Sequence, residues 1–378
     1  MNIQKLEQFL QENNLPKFRL GQIQKAIFQD SVSSFSEITT LSKDLREKME
    51  NELSLLSFAV EKVLEAKDGQ SIKALLKIPK CHSEHPLREH KLRETKSRNL
   101  GPDLSATVEM TDFDLIETVL ISPKPGTWSA CISCQVGCAM GCRFCATGKM
   151  GFKRNLTAEE ITDQVLFWKQ YLKKNFHNIE NCDVKNIVYM GMGEPFNNWP
   201  EVSESIRILT DEKMFGFGSR SLSVSTSGIV SGIKKMANEF PQVNLAISLH
   251  FASDEKRSHY MPVNKKDDLE SLKKALQEYF QVTKRKVFLE YIMLDGVNDT
   301  ALDAKKLSEF IYSIGHTQLL HVNLIRYNTT SEQLVPSSKT RTQNFKAELE
   351  KYRVNATIRK SLGEEIKAAC GQLAGTAS

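Results

Sequence analysis

Three cysteines in the short segment CAMGCRFC are the residues whose types and spacing best suit this chain for chemistry. They are Cys138, Cys142 and Cys145. Thiolates at this spacing can each bind one iron of a cubane iron–sulfur cluster, and the fourth iron then lacks a protein ligand and can bind another molecule. A structural zinc site is the alternative, because Cys134 lies close enough in sequence to supply a fourth ligand.

The composition is that of a globular, water-soluble protein with nearly balanced charge. Of 378 residues, 40% are hydrophobic and 26% charged, and the net charge of +5 permits a nucleic-acid partner without requiring one. The chain has no run of 18 apolar residues, and its start, MNIQKLEQFLQENN, lacks the features of a secretory signal, so we expect a cytoplasmic protein with no membrane span. In that compartment, eight cysteines indicate metal ligands or catalytic thiols rather than a disulfide framework.

The first part of the chain has the apolar spacing of helices. Apolar residues recur at helical intervals in 4–14, 19–29 and 41–55, which predicts a small helical domain over residues 1–58. Four polar side chains on it could contact RNA phosphates or form an ordinary solvated helix surface, and the sequence does not separate these alternatives. They are Lys17, Arg19, Gln22 and Lys25.

The next part, residues 59–115, combines a predicted hairpin with a long polar segment. Two short strands flank Asp68–Gly69, a pair typical of tight turns. Residues 80–112 contain few large apolar side chains and several basic ones, which predicts a long loop able to contact an RNA backbone.

From residue 116 to residue 378, predicted strands and helices alternate. The strands are expected at 129–136, 185–190, 221–226, 243–249, 286–293, 319–325 and 354–359. The helices are expected at 157–174, which opens with a Thr157–Glu160 capping box, and at 200–210, 230–239, 268–280, 301–313 and 341–351. This alternation predicts an α/β fold with a parallel sheet covered by helices, either open or rolled into a barrel.

Polar and glycine-rich segments follow the predicted strands in turn. They are Gly191–Glu194, Ser225–Gly228, Ser248–His250 and Arg326–Asn328. Parallel α/β folds bind their ligands at the carboxyl ends of the strands, and the cysteine loop follows a strand of the same sheet. We therefore expect these segments and the cysteines to form one site.

A CX3CX2C loop followed by Gly191–Glu194 after the next strand resembles the radical S-adenosylmethionine (SAM) superfamily. The resemblance implies a partial (βα) barrel of the radical SAM type, preceded here by a small N-terminal helical domain. It also implies a 4Fe-4S cluster whose open iron binds the amino and carboxylate groups of S-adenosyl-L-methionine. Electron transfer from such a cluster releases a 5'-deoxyadenosyl radical.

Longer segments resemble the ribosomal RNA adenine methyltransferases RlmN and Cfr. CISCQVGC, FCATG, GMGEP, STSG, SLH, GVND, HVNLIRYN and AACGQLAG have counterparts there in the same order, and only 80–112 is a large exception. The resemblance implies a monomer that acts on 23S rRNA, uses two SAM molecules per turnover and receives electrons from a flavodoxin-like or ferredoxin-like protein. GMGEP and the C-terminal segment favour RlmN and methylation of adenine carbon 2, whereas HVNLIRYN is closer to Cfr and carbon 8.

Two further alternatives stay open at this point. Some RlmN-like enzymes also modify the adenosine next to the anticodon of a tRNA, and the sequence does not say whether this chain does. A non-catalytic RNA-binding protein with a structural cluster is the other alternative. Cys370 and Cys131 argue against it, because a structural protein needs neither thiol outside the cluster loop.

The resemblance also implies residue roles. Cys370 carries a methyl group to the adenine, Cys131 releases the product by forming a disulfide with Cys370, and Glu117 accepts a proton. The alternative for Glu117 is an exposed glutamate at a strand end. The cluster ligands are Cys138, Cys142 and Cys145, and the SAM-binding positions are Gly193, Glu194, Ser225, Ser248, Leu249, His250 and Asn328. His250 could instead be a structural histidine, and no role is implied for Cys81, Cys134 and Cys182.

Overall fold

The computed structural model of this chain describes residues 1–80, 113–124, 126–176, 182–330 and 332–375. The predicted polar loop and its Cys81 lie outside these ranges, except for Lys80 at its start. None of the helices in the described ranges has both the length and the apolar character needed to span a membrane.

Within those ranges, ten strands form one sheet and two strands form a second, small one. The large sheet has the order β1, β2, β3, β4, β7, β8, β9, β10, β11, β12. Its strands are β1 Ala59–Glu65, β2 Ser71–Pro79, β3 Phe113–Lys124, β4 Thr127–Cys131, β7 Asp183–Tyr189, β8 Leu222–Thr226, β9 Asn244–Ser248, β10 Val287–Met293, β11 Leu320–Arg326 and β12 Ala356–Ile358. The small sheet pairs β5 Gln135–Gly137 with β6 Phe152–Asn155.

Helices precede the sheet and connect its later strands. They are α1 Ile3–Glu12, α2 Phe18–Gln24 with a π-helical continuation Lys25–Gln29, α3 Lys43–Glu52, α4 Ala146–Lys149, α5 Ala158–Asn175, α6 Trp199–Thr210, α7 Val230–Glu239, α8 Asp254–Tyr260, α9 Leu269–Val282, α10 Ala301–Ile314 and α11 Lys339–Lys351. The predicted capping box is confirmed at α5, where the Thr157 hydroxyl accepts from the Glu160 amide at 3.2 Å and the Glu160 carboxylate accepts from the Thr157 amide at 3.0 Å.

The sheet has an antiparallel part and a parallel part. The predicted hairpin is confirmed, because β1 pairs with β2 antiparallel, and the antiparallel pairing continues to β3 and β4. From β4 through β12 the neighbouring strands are parallel, with helices in the connections. This confirms the predicted partial (βα) barrel of the radical SAM type. Apolar side chains of the N-terminal helices and of the barrel belong to one continuous core.

The predicted strand 129–136 differs from the structure in one respect. Strand β4 leaves the main sheet after Cys131, and β5 belongs to the small sheet. The cause lies in the backbone of Cys134, whose amide donates to the carbonyl of Met192 and whose carbonyl accepts from the amide of Leu156. The chain therefore turns away from the sheet toward the GMGEP segment just before the cysteine loop begins.

Residues 359–375, after β12, form the C-terminal segment. Its described residues contain only one short 3-10 turn, Glu364–Ile366. The segment contacts the β1–β2 hairpin at the opposite end of the sheet: Lys360 Nζ donates to Gln70 Oε1 at 2.8 Å, and Lys73 Nζ donates to the carbonyl of Lys367 at 3.2 Å. It therefore runs from the last strand of the sheet back to its second strand.

Candidate active site

The cysteine loop leaves β5 with a close approach of two backbone segments. Gly137 has φ +73°, and a Cβ built on it would lie 1.9 Å from the carbonyl oxygen of Gly151. Only glycine fits such a position. The amide of Cys138 then donates to that same carbonyl at 3.0 Å, and the amide of Cys145 donates to the carbonyl of Cys142 at 3.2 Å. The amide of Arg143, in the middle of the loop, donates to the carbonyl of Tyr260 at 3.0 Å, so backbone contacts shape the loop.

The loop brings three cysteines together, and the negative charge of one thiolate affects the pKa of another. Burial raises the pKa of Cys138 to about 12. Burial, and then the charges of Cys145 and Cys138, also raise the pKa of Cys142. Three thiolates in this place therefore need a strong positive charge, which bound iron supplies.

The donor set suits a cluster. Among the residues that the structure describes, no three His, Cys, Asp or Glu side chains converge on a point suited to a single metal ion. A cubane cluster does not require such convergence, because its thiolates bind different iron atoms. Cys134, the fourth ligand of the zinc alternative, lies in the hydrophobic core behind the loop, with its thiol buried.

A buried arginine, absent from the sequence-based site, lies beside the loop. Arg257 on α8 donates to the carbonyl of Ser227 at 2.5 Å, to the carbonyl of Leu249 at 3.2 Å and to Asn264 Oδ1 at 2.9 Å. It thus joins the segments that follow β8 and β9. Burial lowers its pKa to about 10, so it stays positive at neutral pH, and its charge lowers the pKa of Cys142. A single arginine outside any predicted helix gave no sequence signal.

The predicted SAM-binding residues follow neighbouring strands. Gly193 and Glu194 come after β7, Ser225 lies near the end of β8, and Ser248 ends β9, so these positions share one edge of the sheet. Glu194 is buried, and its carboxylate accepts from the amides of Ser227 at 2.7 Å and Phe196 at 3.2 Å. Burial raises the pKa of Glu194.

His250 directly follows Ser248 and Leu249 and has internal partners. Its Nδ1 accepts from the amide of Ile292 at 3.1 Å, and its ring packs edge-on against Phe144 of the cysteine loop at 4.9 Å. Burial and then the charge of Arg257 lower its pKa to about 3, so the ring is neutral. These contacts agree with the alternative of a structural histidine, and its predicted contact with SAM stays a prediction.

The C-terminal segment brings Cys370 to the cysteine loop. The carbonyl of Gly371 accepts from the amide of Ala146 at 2.8 Å, and the carbonyl of Leu373 accepts from Thr147 Oγ1 at 2.6 Å. Asn328, buried after β11, donates to the carbonyl of Cys370 at 3.2 Å. These contacts hold Cys370 next to α4, the short helix that directly follows Cys145.

Cys370 lies at the surface of the protein, close to several ionisable groups. Its side chain is exposed, yet the surrounding protein raises its pKa by desolvation, and the charge of Glu290 raises it further while that of Arg359 lowers it. Burial and then the charge of Cys370 raise the pKa of Cys131, at the end of β4. The structure therefore brings two thiols that are far apart in sequence within electrostatic range of each other, and both are free.

Glu117 is buried in the middle of β3, so the alternative of an exposed glutamate at a strand end is wrong. Its Oε1 pairs with Lys73 Nζ at 2.7 Å. Its Oε2 accepts from the amides of Ala374 at 2.6 Å and Gly375 at 3.1 Å. Glu117 therefore contacts the same segment that carries Cys370.

Lys73 and Glu290 were also absent from the sequence-based site. Glu290 is the one charged residue of an apolar strand, VFLEYIM, whereas the strand SIKALLKIP contains Lys77 as well as Lys73. A charge in a strand that is expected to be buried usually has a partner or a function, and this signal was present in the sequence.

Comparisons with known proteins identify the fold and the class of enzyme. The model of the Radical SAM superfamily matches residues 132–307, which include the cysteine loop and the strands from β7 to β10. The model of the Ribosomal RNA large subunit methyltransferase N-terminal domain matches residues 1–55. The fold and site thus define a radical SAM enzyme.

Full-length relatives give the family. The ribosomal RNA large subunit methyltransferase Cfr of Clostridium botulinum (strain Okra / Type B1) is 38% identical over 371 residues, which cover 98% of this chain and 96% of that one. The Cfr of Bacillus velezensis is 37% identical, and the match covers 98% of this chain and 95% of that one. A crystal structure of a radical SAM methyltransferase from Sphaerobacter thermophilus matches this chain with a TM-score of 0.83 and 34% identity. The match covers 100% of this chain and 98% of that one. The chain belongs to the RlmN and Cfr family of radical SAM methyltransferases.

Proposed function

We propose that this enzyme methylates carbon 2 of an adenine in 23S rRNA and that Cys370 carries the methyl group. The observation that carries the proposal is the position of Cys370, held beside the cysteine loop and within electrostatic range of Cys131. Carbon 2 of adenine is electron-poor and has no lone pair to attack a methyl sulfonium. The methyl group therefore needs a route in which carbon reacts as a radical.

The proposed cofactors are a 4Fe-4S cluster and two SAM molecules per turnover. Cys138, Cys142 and Cys145 would hold the cluster. The positions for SAM would be Gly193, Glu194, Ser225, Ser248, Leu249, His250 and Asn328. When bound, the cluster and SAM supply the 5'-deoxyadenosyl radical that removes a hydrogen atom.

The chain's own residues carry the carbon. The Cys370 thiol loses its proton and, as a thiolate, takes a methyl group from the first SAM molecule. Once a hydrogen atom has been removed from this S-methyl group, its carbon bonds to adenine and ties the RNA to Cys370. The adduct gives up one electron, which the bound cluster would accept, and a proton from the adduct carbon, which Glu117 accepts. The thiolate of Cys131 then attacks the sulfur of Cys370, so that a disulfide forms, and the departing carbon takes up a proton and leaves as the methyl group of the base.

Methylation at carbon 8 is the second candidate. It is favoured by the segment HVNLIRYN, which includes β11, and by the name Cfr that the relatives above carry. The segments GMGEP and SLGEEIKAACGQLAG favour carbon 2. Modification of a tRNA adenosine is a further possible activity of the same site.

The remaining proposals concern organisation and partners. We infer a division into 1–58, 59–115 and 116–378, with RNA contacts in the first part, a cytoplasmic location, a monomeric enzyme and an electron donor of flavodoxin or ferredoxin type. Phe18 supports the RNA contact, because its ring is 60% exposed beside the guanidinium of Arg19, 5.1 Å away. An exposed ring next to a cation can stack on a base.

Mass spectrometry tests the proposal. Protein reconstituted with iron and sulfide is incubated with SAM, and the peptide that contains Cys370 is analysed. We expect one added methyl group on that peptide in the wild type and none in C370A. Chromatography of nucleosides from modified RNA then identifies 2-methyladenosine or 8-methyladenosine. Absence of a methyl group on Cys370 contradicts the proposed carrier, and 8-methyladenosine contradicts the choice of carbon 2.

A further inference from the structure

A buried lysine on the hairpin connects the two parts of the site that must cooperate. Lys73 lies in the middle of β2 and is 4% exposed. Its ammonium pairs with Glu117 Oε1 at 2.7 Å and donates to the carbonyl of Lys367 at 3.2 Å. One cation therefore contacts the predicted proton acceptor and the start of the stretch that carries Cys370.

The other end of that stretch returns to the same glutamate. Glu117 Oε2 accepts from the amides of Ala374 and Gly375. Residues 367–375 are thus held at both ends by the Lys73–Glu117 pair, with Cys370 between the two attachment points. The described residues of this stretch contain no helix or strand, so contacts with other elements must determine where Cys370 lies.

A buried ion pair of this kind is poor evidence of stabilisation by itself. Removing two charges from water costs about as much free energy as their attraction returns, and an apolar pair is often as stable. A pair that joins two reacting groups has another effect, because it fixes their relative position.

We propose that Lys73 is a positioning residue, which sets the place of Cys370 relative to Glu117 and supplies the counter-charge that keeps Glu117 able to accept a proton. The inference rests on the function proposed above and adds a residue to it. Lys73 touches neither substrate nor cofactor and acts through Glu117 and Lys367. Two consequences follow, one for each contact.

Loss of the charge should affect the release of product. In K73M, Glu117 is buried with no counter-ion, and a buried carboxylate whose charged partner has been removed is strongly destabilised. Glu117 then no longer serves as the charged acceptor of the proton. The RNA adduct on Cys370 should accumulate, with release slowed on the order of 100-fold.

The experiment uses reconstituted full-length protein, SAM and an in vitro transcript of 23S rRNA under single-turnover conditions. Denaturing gels at successive times measure the covalent RNA adduct, and mass spectrometry measures methylated Cys370. The matched control is K77M, which removes a lysine from the same strand. It breaks the partly exposed pair with Glu61, at 2.5 Å, and the contact of the ammonium with the ring of Phe113, at 4.8 Å, but leaves Glu117 and Lys367 untouched. K73R keeps the charge and should restore release.

A second variant distinguishes the positioning role of Lys73 from its role as a counter-charge. It also tests whether the effect of K73M comes only from misfolding. K73M/E117Q removes both charges, so no unpaired charge is buried. Compared with E117Q, it should take up the methyl group on Cys370 more slowly, because the contact with Lys367 is lost. Equal methylation rates in these two variants contradict the positioning role. A rate of release in K73M that matches K77M, or a slow rate that K73R does not restore, contradicts the counter-charge role. If wild-type protein makes no methyladenosine, the proposed function fails instead.

Discussion

The cysteine loop and the C-terminal segment meet at one site but obtain their shapes in different ways. The loop is defined mainly by backbone contacts, of the amide of Cys138 with the carbonyl of Gly151 and of the amide of Arg143 with the carbonyl of Tyr260, and by a glycine that no other residue can replace. The C-terminal segment has a backbone contact with Ala146, and it depends also on side chains from distant elements, among them Thr147, Asn328 and Glu117. The half of the site that would generate the radical is therefore shaped mainly by backbone contacts, and the half that would carry the carbon depends more on side chains from the rest of the fold.

This difference predicts unequal responses to mutation. A change in the loop should remove the cluster together with all activity. A change in the partners of the C-terminal segment should leave the cluster in place and impair only the steps that involve Cys370. Four substitutions test the comparison, from the largest expected effect to the smallest.

G137A should destroy the loop. The added Cβ would lie 1.9 Å from the Gly151 carbonyl at a φ of +73°, so the backbone must move. We expect a loss of stability of about 3 kcal/mol or more and little bound iron after reconstitution. Iron per chain and urea unfolding measure these effects. The control is G218A, where no atom lies within 4 Å of the new Cβ. Normal iron content in G137A would contradict the account of the loop.

R257M should weaken the support behind the loop. It leaves the carbonyls of Ser227 and Leu249 and Asn264 Oδ1 without their buried donor, at an expected cost of about 3 kcal/mol. Urea unfolding measures this cost. R207M serves as control, because Arg207 is half exposed and its substitution should change stability by only about 0.5 kcal/mol. Equal midpoints for the two variants would show that Arg257 does not join these segments.

The neutral, buried ring of His250 should make stability depend on pH. Its pKa is lowered to about 3 in the folded protein, so the unfolded chain binds more protons below about pH 6.5. The contribution of His250 to the free energy of unfolding is therefore complete above that pH. It decreases on acidification, by about 2 kcal/mol between pH 7 and pH 5. Urea unfolding at both pH values measures the loss. H250N should lose this part of the dependence and H259N, at an exposed position, should keep it. The same pH slope in both variants would contradict a neutral His250.

T147V should have the smallest effect and should affect only the C-terminal segment. It removes the hydroxyl that donates to the carbonyl of Leu373, at a cost of about 1 kcal/mol. We expect unchanged iron content, faster hydrogen exchange in residues 368–375 and slower methylation of Cys370. The control is T162V, since the Thr162 hydroxyl bonds only within its own helix, to the carbonyl of Glu159. Lost iron in T147V would mean that loop and segment are not separately supported.

Sequence patterns predicted the regular part of this molecule well. Apolar runs of five to seven residues between turn signals located β7 to β11, and the carboxyl ends of those strands do carry the polar segments expected there. The cysteine spacing and the capping box of α5 are local signals and could also be recognised from the sequence.

Contacts between distant residues were beyond this reasoning. The pairing of β3 with β2, which helps to place Glu117 inside the sheet, joins two strands that are separated by the long polar segment. The bonds from Glu117 to Ala374 and from Arg257 to Ser227 join residues that no local pattern relates. Only the single charge of Glu290 within an apolar strand pointed to such a contact beforehand.

Covalent trapping tests the central claim that Cys370 carries the methyl group and Cys131 releases it. Reconstituted C131A protein is incubated with SAM, a reductant and the 23S rRNA transcript, then digested and analysed by mass spectrometry. The account predicts RNA bound to the Cys370 peptide, whereas C182A, which removes another free thiol, should release methylated RNA as the wild type does. Recovery of only free RNA from C131A, or RNA attached to a different residue, would contradict it.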